Sequence, residues 1–142
     1  RAKFPDRAMA KAALTGRGIF KSFSPEMLDD YLADGLVEAP GGGLKLACAP
    51  AYEAATFAAQ RNDPWRALRK VSAPLVVLRA AIGSTLPEFA ARRIGAMRRD
   101  ARIATVEGAT HALPMERPDR ARAAIAMAAL MASPESKHRD LD

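Results

Sequence analysis

One histidine in this chain stands in surroundings that could make it a reacting group. It lies in Gly108-Ala109-Thr110-His111-Ala112-Leu113-Pro114-Met115-Glu116-Arg117-Pro118. An imidazole ionises near neutrality, so it can accept a proton and return it within one turnover. The string follows Arg102-Ile103-Ala104-Thr105-Val106, which has the length and β-branched character of a strand. Loops at the carboxyl ends of parallel strands are where open α/β sheets place ligands and catalytic groups. Gly108 permits a sharp turn at the strand end, and Pro114 and Pro118 stiffen the loop and start the next helix. A lone loop histidine is ordinarily a hydrogen-bonded surface residue. The string around His111 sets it apart.

Other chemistry is thin. His138 sits in the polar segment after Ser133, where fraying is expected and no role is assigned. A single cysteine, Cys48, excludes an internal disulfide, and its neighbours Leu46, Ala47 and Ala49 predict a small buried residue. No Cys/His cluster suggests a metal, and Gly41-Gly42-Gly43 lacks the Lys-Ser/Thr of a phosphate loop. The net charge of +6, from 22 basic and 16 acidic residues, raises the question of nucleic acid. Yet Arg92-Arg93, Arg98-Arg99 and Arg117, Arg120 and Arg122 are scattered among acids, with no aromatic residues interleaved for base stacking. No nucleic-acid partner is expected. No apolar run approaches the roughly 18 residues of a membrane span, so no membrane partner is expected either, and a cytoplasmic location fits. The chain begins at Arg1 without a signal-like apolar stretch, and reads as if cut from something longer.

The elements that must position His111 follow from periodicity and punctuation. Pro5 to Leu14 reads as a helix stopped by Gly16 and Gly18. Ser24-Pro25-Glu26 opens another, with Met27, Leu28, Tyr31 and Leu32 on one side and Gly35 at its end. Pro40 to Gly43 is a loop, and Leu44 to Cys48 is at best a short extended piece. Pro50 opens a helix carrying Tyr52, Ala55, Phe57 and Ala58, which Asp63-Pro64-Trp65 breaks. The character then changes. Pro74 to Arg79 is a continuous apolar run suited to a parallel strand covered on both faces. Leu86 to Met97 is a helix with Phe89, Ile94 and Met97 inward, followed by the Arg102–Val106 strand and a helix from about Asp119 to Met131. This βαβα unit implies parallel strands with a right-handed crossover. Two strands cannot make a covered sheet, so the rest of the sheet is expected elsewhere, and the chain alone is expected to be marginal or to aggregate.

The histidine string resembles the catalytic-histidine segment of the α/β-hydrolase superfamily: strand, G-x-G-H or G-x-x-H, a short apolar step, then P-M-E-x-P and the C-terminal helix. Ala109-Thr110 precede the histidine here, where many members have a second glycine. Asp63-Pro64-Trp65, Pro74 to Arg79 and Gly83-Ser84-Thr85 resemble the end of a helical cap, the penultimate core strand and the loop behind it. The resemblance implies an α/β fold, present as the C-terminal part: residues 1–70 a helical cap segment and the return from it, 71–132 the end of the core, and 133–142 a disordered tail. It implies a serine-type hydrolase acting on an ester or related small apolar substrate, with His111 as general base and no cofactor or metal. Phe57 and Trp65 are the candidate substrate-binding residues among the cap aromatics, which include Phe20, Phe23 and Tyr31. Ordinary packing between cap helices is the competing reading for each.

Two departures qualify the resemblance. The nucleophile motif G-x-S-x-G is absent, and Ser84 follows the wrong strand to replace it. The nucleophile is expected in a missing N-terminal half of the same fold, so the chain alone is expected to be inactive. The loop Ala80 to Thr85 also lacks the acid that would orient the histidine. Glu88 falls on the following helix, and Glu116 is expected to pair with a backbone or Arg group near the loop. The alternative reading is a non-catalytic protein of the same fold that binds a ligand or partner.

Overall fold

The computed structural model describes residues 2–133. His138 and all but the first residue of the expected tail lie outside the described residues. Two compact units are present, Arg1–Asn62 and Asp63–Asp142. The division comes earlier than the expected boundary after residue 70, because the helix opened by Asp63-Pro64 groups with the second unit.

The first unit begins with β1 (Lys3–Phe4) and α1 (Arg7–Leu14). Asp6 caps α1, its carboxylate accepting from Met9 N at 2.8 Å. A 3₁₀ turn at Gly18–Ser22 leads to α2 (Pro25–Asp34), capped by the Ser24 hydroxyl and started by Pro25 as expected. Leu28 and Leu32 of α2 are buried against Phe4, Ala10 and Leu36. Phe20, Phe23 and Tyr31 close this core as a cluster, with ring centroids 5.0 to 6.4 Å apart. These three aromatics are packing residues of the first unit.

The expectation of helices and loops with at most a short extended piece at Leu44 to Cys48 gives way to a small sheet. Past Gly35 the chain forms a hairpin, β2 (Leu36–Glu38) and β3 (Leu44–Leu46), and β1 pairs with the other side of β3. All pairings are antiparallel. Gly41, Gly42 and Gly43 have φ values of +85°, +97° and +74°, a left-handed path that favours glycine. At Gly43 a Cβ would also come within 2.7 Å of the Phe4 carbonyl oxygen. Strands of two or three residues offer too little alternation to read, and β1 is joined to β3 only by tertiary pairing. Cys48 is exposed rather than buried. It lies beyond the last residue of β3, in the connection to α3 (Pro50–Ala58), where nothing covers it. Every residue of α3 is exposed too.

The second unit contains α4 (Pro64–Lys70), β4 (Val76–Ala80), α5 (Glu88–Met97), β5 (Arg102–Val106), α6 (Leu113–Glu116) and α7 (Pro118–Ala132). Strands β4 and β5 pair in parallel, from Val76 with Arg102 to Ala80 with Val106. This is the expected βαβα order, with α6 an added turn. Ile94 of α5 is buried as expected, together with Ala90 and Ala91, while Phe89 is exposed, which corrects its expected inward placement. Arg98 fixes the entry to β4. Its guanidinium donates to the Val71 and Ala73 carbonyls at 2.7 and 2.8 Å and grips the Asp100 carboxylate at 2.9 and 2.6 Å. Hydrogen bonding from Arg98 holds the Asp100 carboxyl below its usual range. Helix α7 buries none of its residues fully, although Ile125, Met127 and Leu130 are large and apolar.

The first unit's core makes a direct prediction. Leu32 is 1% exposed, so Leu32→Ala is expected to destabilise that unit by about 2–5 kcal/mol through lost burial and a residual cavity. Phe57 is 65% exposed, and Phe57→Ala should stay within about 0.5 kcal/mol. Urea titration followed by NMR signals from α2 measures both.

Candidate active site

The candidate site is built where β4 and β5 end. Strand β5 closes on the buried Val106, and the chain turns at Glu107-Gly108, where Gly108 has φ +71°. Ala109 is 0% exposed and packs with Ala80, Val106 and Leu113. Ala112 is buried as well. His111 is exposed between these two anchored alanines. The loop therefore buries small apolar residues on either side of the imidazole and leaves the imidazole itself displayed. Alanine suits both positions, because larger side chains would not fit beneath the loop without displacing it.

Hydrogen bonds fix the same segment. Leu113 N donates to the Thr110 carbonyl at 2.9 Å and so begins α6. Thr110 N donates to Glu116 Oε2 at 2.6 Å, and the Thr110 hydroxyl donates to Glu116 Oε1. Glu116 thus pairs with a backbone group near the loop, as the sequence suggested. Arg117 forks onto Asp119, Nε to Oδ1 at 3.2 Å and Nη2 to Oδ2 at 3.0 Å, at the start of α7. The Asp119 carboxyl is held below its usual range, first by this hydrogen bonding from Arg117; desolvation opposes it, and the Arg120 backbone amide and the Arg117 and Arg120 charges add to the lowering.

The loop after β4 lies alongside. Ala81 N donates to the Val106 carbonyl at 3.1 Å, and Ile82 N donates to the Ala109 carbonyl at 3.0 Å. The second bond joins this loop to the residue two positions before His111. No carboxylate lies between Arg79 and Leu86. Ser84 accepts from Leu86 N at 3.1 Å, which gives its hydroxyl a turn-stabilising role. Glu88 pairs with Arg79 at 3.2 Å and with Arg92 at 3.3 Å, so its carboxylate is engaged away from the histidine loop. Arg79 is a residue that sequence reasoning missed. It donates to the Leu86 carbonyl and to Thr105 Oγ1 as well as to Glu88, and so holds the β4 loop to β5. A charged residue ending an otherwise apolar strand was its only signal.

The other candidates are placed differently. Trp65 is half-buried on α4, with the Arg93 guanidinium 4.2 Å above its ring. Phe57 belongs to the first unit, whereas His111 and Trp65 belong to the second. A groove of about 700 Å³ runs between the β4–β5 face and α7, lined by residues including Leu78, Val106, Arg120 and Met127, but His111 does not line it. Among the described residues, no group of His, Cys, Asp and Glu could hold a metal ion. No helix there is long and apolar enough to cross a membrane.

No protein-family model and no curated protein matches the chain. Solved structures do. The chain is similar to E-2-(acetamidomethylene)succinate hydrolase, with a TM-score of 0.73 and 24% identity over 88% of this chain and 46% of that one. It is also similar to a thioesterase domain from the curacin biosynthetic pathway, with a TM-score of 0.57 and 18% identity over 92% of this chain and 43% of the domain. The chain spans less than half the length of either. At these identities the likeness is one of fold, and it agrees with the expected α/β-hydrolase architecture, present in part.

The Arg117–Asp119 fork gives a pH prediction. A carboxyl whose folded pKa is depressed adds stability above its unfolded value, and that stability is lost as pH falls through the folded value. The Asp119 carboxyl carbon should titrate below the ordinary value of about 3.9, and Arg117→Met should move its midpoint up toward that value. NMR titration of the side-chain carbon reads both.

Proposed function

We propose that this chain, which has the α/β-hydrolase fold over part of that fold's extent, is the C-terminal portion of a serine-type hydrolase in which His111 is the general base. The observation that carries the reading is the display of an exposed histidine at the carboxyl end of a parallel strand, on a loop anchored by buried Ala109 and Ala112. In the intact protein a hydroxyl nucleophile from the rest of the fold would attack the carbonyl carbon of an ester or related small apolar substrate. His111 would take the hydroxyl proton as the new C–O bond forms, then give it to the leaving alcohol as the old bond breaks. It would next take a proton from water, whose oxygen attacks the acyl-enzyme, and return it to the nucleophile as the acid departs.

The missing portion of the fold is the first partner in this reading. It would also bring the acid that orients His111, since the loop after β4 has none. The exposed apolar side chains Phe89, Ile125 and Leu130 supply surface for it to cover. The first unit would act as the cap, with Phe57 available to a substrate on its exposed face, and Trp65 would take part only if Arg93 left its ring. The lone exposed thiol of Cys48 suits a reducing compartment and hence the cytoplasm.

The absent acid favours one alternative, a non-catalytic protein of this fold that binds a small apolar ligand. Turnover of p-nitrophenyl acetate separates the two. The 142-residue chain should be inactive, and a parent chain that includes the nucleophile should be active, losing at least about 10³-fold in kcat on His111→Ala. Full activity in that variant would overturn the base assignment. A wild-type parent without turnover, stabilised equally by an apolar ligand with and without His111, would establish the alternative.

A further inference from the structure

We propose that Thr110 and Glu116 form a positioning pair that fixes the backbone on both sides of His111, an inference that rests on the reading of His111 as the reacting base. Three hydrogen bonds carry it. Thr110 N donates to Glu116 Oε2 at 2.6 Å, and Thr110 Oγ1 donates to Glu116 Oε1. Thr110 Oγ1 also accepts from Ala112 N at 3.3 Å. One hydroxyl therefore acts as donor to the carboxylate and acceptor from the amide just past the histidine.

The consequence is local and specific. Thr110 bonds both oxygens of one carboxylate with charge-assisted bonds, and Ala112 is joined to it through the Thr110 hydroxyl. His111 has no such restraint of its own: no described residue hydrogen-bonds its imidazole. Its position is inherited from its neighbours. Ala112 is buried, so losing the hydroxyl acceptor would leave its amide with little access to water. A glycine at position 110, as in the G-x-G-H form of the motif, would keep the bond from the amide to Glu116 and lose both bonds of the hydroxyl. Threonine adds a clamp that glycine cannot make. Neither member of the pair touches the reacting atoms in this arrangement; both act through the backbone that carries the base. A base displaced by about 1 Å can lose orders of magnitude in rate.

The test is made first on the 142-residue chain by ¹⁵N relaxation. In Thr110→Val the backbone order parameter at His111 should fall from about 0.85 toward 0.6 or below, with β4 and β5 unchanged. Thr110→Ser should restore it. Glu116→Gln, which keeps an acceptor for only one of the two donors, should give an intermediate value. In an active parent, Thr110→Val should lower kcat at least about tenfold with KM unchanged, again with rescue by serine. Wild-type order at His111 in Thr110→Val would overturn the pair. Should that variant fail to fold, wild-type order in Glu116→Gln would do the same. The order parameters need no turnover, so this failure is distinct from a failure of the base assignment, which is read only from His111→Ala in the parent.

Discussion

Parallel pairing of β4 with β5 brings the carboxyl ends of two five-residue strands to one edge of the sheet, and the rest of the site depends on that. Because Ala80 lies opposite Val106, the loops that leave the two strands start side by side. The bonds Ala81 N to Val106 O and Ile82 N to Ala109 O then extend the ladder one step beyond the strands and into the loops. An antiparallel pair would have put one loop at each end. The price is that a two-stranded parallel ribbon has open edges and faces, which a complete α/β sheet covers with further strands and helices. Helix α7 is nowhere fully buried, although all its residues from Ala123 onward are apolar.

Charge is organised on the same principle of local restraint. The dense arginine groups suggested a basic surface, but most are engaged within the second unit. Arg98 bonds two carbonyls and Asp100, Arg92 and Arg79 meet at Glu88, Arg93 lies over Trp65, and Arg117 and Arg120 flank Asp119. Exposed pairs of this kind add little stability each. Their effect is to fix where connections run: the entry to β4, the loop after it, and the start of α7.

The sequence was legible where a signal is local and repeated. The β4 and β5 runs, the Ser24-Pro25 start of α2 and the glycine turn at Gly108 all declare themselves within a few residues. The three-stranded sheet of the first unit was not legible, because Lys3 pairs with Lys45 across a long stretch of chain and each strand is too short to alternate. Cys48 misled because its apolar neighbours Ala47 and Ala49 are themselves exposed and leave the thiol open. In α5 Phe89 misled, because two alanines, a weak hydrophobic signal, join Ile94 on the inward face while Phe89 is exposed. At the candidate site the histidine string could be read, but the atoms that hold it could not. Thr110 looked like a departure from a glycine pattern, and its hydroxyl proves to be bonded on both sides.

The second loop sharpens what this arrangement can and cannot do. Its Ser84 hydroxyl is used in a turn, and the nearest following carboxylate, Glu88, is neutralised by Arg79 and Arg92. No acid beside the histidine loop is therefore left to orient an imidazole from this strand. Glu116 takes bonds from the Thr110 amide and hydroxyl on its two oxygens. The backbone on either side of His111 is hydrogen-bonded, while no described residue hydrogen-bonds the imidazole. Under the proposed reading of His111 as general base, ring orientation matters as much as backbone position, because a base needs its tautomer and ring orientation fixed as well as its Cα. In that proposal the histidine loop is the platform that carries the base, and the group that sets the ring would come from another strand of the fold.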